Sequence, residues 1–170
     1  RCEAGDCSKI LLYLTDPSIG SGNIDKSIIS MSVDMVKKFV DLTEVGNLRL
    51  FNSKSIASQL NDIFLCLADK NVLLQDASFQ CCDLFIKSIP SSLCHHNSLY
   101  TLLDLLTTLF DSVVDCQTNK FDVKYEFYLN HSQRKILVPG SKAWRTATLS
   151  GLRKAAKDWL KFLLNCSNED

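Results

Sequence analysis

Few residues in this chain have the type and spacing to carry chemistry. Cys94-His95-His96 is the one run of metal-ligand types, and the remaining histidine, His131, lies far along the sequence. A zinc site draws three or four such ligands into a tetrahedron, and adjacent loop residues supply two at most. The run therefore reads as a loop with solvated histidines. Nucleophilic chemistry has no frame either. No Gly-x-Ser-x-Gly elbow occurs, and neither Cys81 nor Cys94 stands in a protease-like context. A Walker loop, a Gly-x-Gly-x-x-Gly turn and an Asp-Phe-Gly element are all missing from these residues. The sequence assigns no catalytic residue, no cofactor and no metal ligand here.

Charge is more informative. Formal net charge is zero, which gives no overall argument for nucleic acid as a partner. Yet between Arg134 and Lys161 eight basic residues (Arg134, Lys135, Lys142, Arg145, Arg153, Lys154, Lys157, Lys161) face one acid, Asp158, so this segment is at +7 and the rest at −7. Arg153, Lys154, Lys157 and Lys161 share the helix face opposite Trp159. They read either as a solvated polar face or as a docking strip for an anionic membrane or an acidic partner. Near an anionic membrane each cation adds up to about 1 kcal/mol. Arg145 differs, because helical projection turns it toward the apolar side, where an unpaired charge is costly. It is expected to pair with Glu126, Asp111 or Asp115, tying a hairpin to both flanking helices.

Cys2, Cys7, Cys66, Cys81, Cys82, Cys94, Cys116 and Cys166 are scattered without a C-x-x-C pair. An even count invites a disulfide framework. Cys66, Cys81 and Cys82 instead fall in helical apolar patterns, where a free thiol behaves as a small hydrophobe. Reduced thiols are the expectation, with some disulfide pairing the alternative. Asn130-His131-Ser132 and Asn165-Cys166-Ser167 match the glycosylation pattern, as chance allows in a Ser- and Asn-rich chain.

The elements that hold these residues are mostly helical. At 170 residues, 46% hydrophobic and 22% charged, the chain suits one domain able to bury roughly 70% of its unfolded surface. Apolar residues at Ile29, Val33, Val36 and Val40 give a helix over 25–44, stopped by Gly46-Asn47. Similar patterns predict helices over 7–14, 53–68, 72–89, 98–115 and 141–165, with a flexible loop at 17–23. Pro90 ends one helix and Ser141 caps another. The stripe Leu99, Leu102, Leu103, Leu106, Phe110 and Val113 is wide enough for a helix packed on two sides. Between the last two helices the period changes to two. Tyr125, Phe127 and Leu129 share a parity, and Ile136 and Val138 repeat it, which predicts a β-hairpin near 124–138. The expected fold class is all-α: helical hairpins stacked as an α-solenoid fragment or an irregular bundle, with that one β-hairpin inserted. In a solenoid fragment the terminal helices would expose apolar faces. No repeat of the roughly 34- or 40-residue kind is evident. No apolar run reaches about 18 residues. Without an initiator Met or a leader, the sequence reads as cut from a longer chain or processed.

The order of "SLYTLLDLLTTLFDSVVD" (Ser98–Asp115), "KFDVKYEF" (Lys120–Phe127), "KILVPGS" (Lys135–Ser141) and "WRTATLSGLRKAAKDWL" (Trp144–Leu160) resembles a segment of the non-catalytic helical region of type III alpha phosphatidylinositol 4-kinases, of a fungal-like kind. The positions that carry the resemblance are Asp115, Tyr125, Phe127, Arg145, Thr148, Leu149, Ala156 and Trp159. The chain departs from the pattern at Val123, where the family often has proline, and at Gly140, where it often has an acid. The resemblance implies a parent enzyme that transfers the ATP γ-phosphate to the 4-position of phosphatidylinositol at the plasma membrane. This segment would then be α-solenoid scaffold in a cytoplasmic, peripheral protein. Its partners would be the remainder of the parent kinase and membrane-anchored adaptor proteins, with an anionic membrane surface as a further partner. No family catalytic residue lies in the matched stretch. An independent helical-bundle interaction module and a secreted, disulfide-bonded helical protein are the alternatives.

Overall fold

The computed structural model describes residues 7–14, 26–44, 53–119 and 121–166. Among the described residues, seven helices and two strands follow in order: α1 (Ser8–Leu14), α2 (Lys26–Glu44), α3 (Ser53–Cys66), α4 (Val72–Ser88), α5 (Ser91–Cys94), α6 (His96–Thr118), β1 (Glu126–Tyr128), β2 (Lys135–Leu137) and α7 (Lys142–Cys166). The expected loop at 17–23, the Gly46-Asn47 stop and Cys2 lie outside the described residues. The fold is all-α with one small ribbon, as the sequence predicts.

Local chemistry sets the helix ends. Asn71 caps α4, its side-chain oxygen accepting from the amides of Leu73 and Leu74. Pro90 forces Ile89 out of helical geometry, with φ −130° and ψ 73°. The unexpected short helix α5 begins directly after that proline, whose fixed φ suits a helix start. His95 then caps α6 through Nδ1, 3.4 Å from the Asn97 amide. The predicted histidine loop is thus a helix junction. At α7, Ser141 Oγ accepts from the Trp144 amide at 3.3 Å.

Packing follows two rows. α1 packs on α3 and α3 on α6, while α2 packs on α4 and α4 on α7. Across the rows, α1 meets α2, α3 meets α4 and α6 meets α7. Three helical pairs are therefore stacked, each burying one face on the next. The shared core runs through Leu60, Phe64, Leu74, Phe85, Leu102 and Leu105. Phe39 of α2 stacks on Phe85 of α4 with ring centroids 6.1 Å apart. Trp159 of α7 lies 6.0 Å from Phe64 and 6.5 Å from Phe79, and its indole N–H donates to Asp83 Oδ1 at 3.1 Å.

The ribbon is antiparallel, pairing Glu126 with Leu137, Phe127 with Ile136 and Tyr128 with Lys135. Phe127, Leu129, Ile136 and Val138 are buried, in keeping with the period of two. Tyr125 is the exception at 61% exposed. Its ring lies over Gly140, where a Cβ would come within 2.9 Å of it. A side chain at position 140 would require that exposed ring to shift. At the ribbon tip Gln133 takes φ 55°, in the left-handed region, and its amide donates to the Leu129 carbonyl at 2.8 Å.

Candidate functional site

Two assemblies stand out, both built on α7. The first surrounds Arg145, which is fully buried one turn into that helix. Its Nε donates to the Pro139 carbonyl at 2.7 Å, and Nη1 donates to the Ser112 carbonyl at 2.6 Å. Nη1 also reaches Asp115 Oδ2 at 3.4 Å, and Nη2 donates to the Lys124 carbonyl. The guanidinium carbon sits 5.4 Å from the centre of the Phe127 ring, within cation–π range. One side chain thus joins α6, the approach to β1, the exit from β2, and α7. Burial of the charge is compensated because carbonyls and a carboxylate surround it.

Of the three acids expected near Arg145, Asp115 is the one the structure brings there. Its other contacts come from Asn119 Nδ2 and the Lys124 amide, both at 2.8 Å. Those two hydrogen bonds, with Arg145 adding to them, hold the Asp115 carboxyl below its ordinary value. Glu126 points elsewhere. It lies on the exposed parity of β1 and pairs across the ribbon with Lys135 at 3.2 Å. Asp111 is exposed, because it precedes the buried Ser112 of α6 and faces away from the joint.

The second assembly is an open groove of about 1010 Å³ that runs along α7, with Leu106 of α6 on its other side. Leu106, Leu149, Ala156, Leu160 and Leu164 give it an apolar lining. Arg153, Lys154, Lys157 and Lys161 form its rim, and all four are exposed. No carboxylate lies within ion-pair distance of them among the described residues. Lys142 is likewise exposed and outside any ion pair among the described residues, whereas Arg134 and Lys135 differ. Arg134 pairs with Asp62 at 2.8 Å, where Lys9 also reaches at 3.2 Å, and Lys135 pairs with Glu126.

The apolar part of this groove was not evident from sequence. Leu160 and Leu164 repeat at four-residue spacing from Ala156, a stripe offset from the inward-facing Leu152 and Trp159. That offset is the signal that could have found it. The wide stripe of α6 also divides. Leu102, Leu105 and Leu109 are buried, while Leu103 and Phe110 are 53% and 57% exposed. Its expected second side is uncovered among the described residues.

The remaining reactive groups do not converge. His95 and His96 stack on each other, and His131 stacks on Tyr100 with centroids 4.7 Å apart. The ribbon tip therefore folds back onto the start of α6, nearer than its place in the sequence suggests. No metal-holding group of three ligands exists among the described residues. Their seven cysteines are free thiols. Burial pushes the Cys66 and Cys81 thiols up to about 12, and Cys82 is also raised. No helix among the described residues is long and apolar enough to cross a membrane.

Several of the residues that carry the resemblance take part in these assemblies. Asp115, Phe127 and Arg145 meet at the joint, and Leu149 lines the groove. Thr148 accepts from Gln75 Nε2 at 3.2 Å, and Ala156 and Trp159 are buried. Comparison with curated proteins agrees. The chain is 59% identical over 170 residues to phosphatidylinositol 4-kinase STT4 of Saccharomyces cerevisiae, covering 100% of this chain and 9% of that protein. It is 21% identical over 165 residues to phosphatidylinositol 4-kinase stt4 of Schizosaccharomyces pombe, 95% of this chain and 8% of that one. The chain therefore spans less than a tenth of either relative's length. No protein-family profile and no solved structure matches it. From end to end, the chain is similar to one non-catalytic segment of a fungal type III alpha phosphatidylinositol 4-kinase.

Proposed function

We propose that this chain is a helical scaffold segment of a phosphatidylinositol 4-kinase, an α-solenoid layer that helps assemble the enzyme and recruit it to the plasma membrane. The observation that carries the reading is similarity over the whole of this chain to a stretch that makes up 9% of such a kinase. Three supports come from the fold. Helical pairs stack in two rows, the layout of a solenoid. Apolar side chains stand open at both outer helical faces, Met31 and Leu42 on α2 and Phe110 and Leu164 on α6 and α7. The face of α7 carries four cations with no acid in ion-pair distance among the described residues, which suits docking better than internal structure.

In this reading the parent enzyme phosphorylates phosphatidylinositol. The present segment meets the remainder of the kinase and membrane-anchored adaptor proteins, with an anionic membrane surface close by. Arg145 and Asp115 keep the docking helix at a fixed angle to α6. The test is to replace Arg153, Lys154, Lys157 and Lys161 together by Gln in the intact parent. Plasma-membrane recruitment and partner pull-down should both fall, with protein abundance unchanged. Unaltered localisation and unaltered pull-down would remove the docking role.

A further inference from the structure

We propose that the groove between α6 and α7 seats an amphipathic helix of a separate protein, one whose apolar stripe is flanked by Asp or Glu. This deepens the docking reading and rests on it. The groove has the shape for such a ligand. Leu106 and Leu149 lie partly buried between the two helices, with Leu160 and Leu164 alongside at 41% and 66% exposure. A third helix packs into a trough between two others at an axial distance of about 8–10 Å, its own side chains filling the gap. The charge names the flanks. Four cations stand on the α7 side, each without an acid within reach among the described residues. A ligand with carboxylates there gains attraction and faster encounter, while a basic one is repelled.

Two other occupants fit less well. A further helical pair stacked broadly across α6 and α7 would remove all four cations from water, a steep cost unless each is paired. A single helix along the trough covers the leucines and leaves Lys154, Lys157 and Lys161 at its edge. A planar bilayer meets the crests of both helices but not the recessed Leu106 and Leu149.

The test uses the full 170-residue chain. A phage-displayed library of helices of about 18 residues, or ~27 Å, keeps a leucine stripe fixed and varies the flanking positions among Glu, Gln and Lys. Recovered helices should carry Glu at the flanks. A synthetic peptide of the consensus should bind at least about tenfold more weakly to the Lys157→Glu/Lys161→Glu variant, and a Lys-flanked version should regain affinity for that variant. Circular dichroism checks that the variant melts like the parent chain, and Leu164→Asp gives an independent loss of binding. Neutral or basic consensus flanks, no recovered helix, or equal binding to both forms would overturn the proposal. So would binding to phosphatidylserine vesicles without any acidic helix recovered, which would assign the groove to a bilayer. Failed panning beside lost recruitment of the neutralised parent would leave the docking role with a different occupant. Successful panning beside intact recruitment would keep the groove's chemistry and remove that role.

Discussion

Arg145 is where a single residue matters most. Its guanidinium serves three carbonyls and one carboxylate from a fully buried position. Arg145→Met should destabilise the fold by about 3–5 kcal/mol, because it leaves three carbonyls without their buried donor and removes a cation from beside Asp115. Equilibrium urea unfolding measures that loss, and a change below about 1 kcal/mol would mean the contacts are dispensable. Asp115→Asn should cost about 1–3 kcal/mol at neutral pH. Its carboxyl is the depressed partner, so its contribution is complete above the unfolded value of 3.8 and fades as pH falls through the folded value. The stability gap between wild type and Asp115→Asn should accordingly close in acid and stay constant from about pH 5 upward. The need for a partner at Arg145 was legible in the sequence, because helical projection buried a charge. Which acid supplied it was not. Asp111, Asp115 and Glu126 precede it by 34, 30 and 19 residues, so nearness in sequence points to the wrong acid, and the choice follows from how α6 rotates and from the parity of β1.

At the scale of elements, the long amphipathic helices and the ribbon follow directly from period, since a buried face repeats every 3.6 or every 2 residues. The features that escaped are those a period cannot carry. α5 is four residues long, too short to show one. His95 reads as a loop residue until its Nδ1 is seen accepting at the start of α6. The exposed half of the α6 stripe is indistinguishable from core in a linear pattern, because hydrophobicity does not say which side is covered. The thiols give a direct test of the α3–α4 seam. Cys66, Cys81 and Cys82 are buried there, with thiols that resist ionisation, whereas Cys94 and Cys166 are exposed. Alkylation of the native chain at neutral pH should label Cys94 and Cys166 first. The three seam cysteines should react only as the chain unfolds. Peptide mapping after a short iodoacetamide pulse reads the order, and early labelling of Cys81 or Cys82 would contradict the packing.

For the whole molecule, three stacked helical pairs place an open face at α2 and another at α6 and α7. The second is flanked on its α7 side by cations that pair with no acid among the described residues. Fold class was readable from the sequence, and so was the position of the basic strip. Its union with an apolar groove depends on the neighbouring helix and needed the tertiary structure. The central claim is that this face is covered when the parent kinase is assembled with its partners. Acetylation rates of Lys154, Lys157 and Lys161, compared between the free chain and the assembled parent with Lys142 as the exposed reference, test it most directly. The account predicts a fall of at least about tenfold at Lys157 and Lys161 on assembly, with Lys142 little changed, as partner binding shields the bound form. Equal rates in the free chain and the assembled kinase would contradict it.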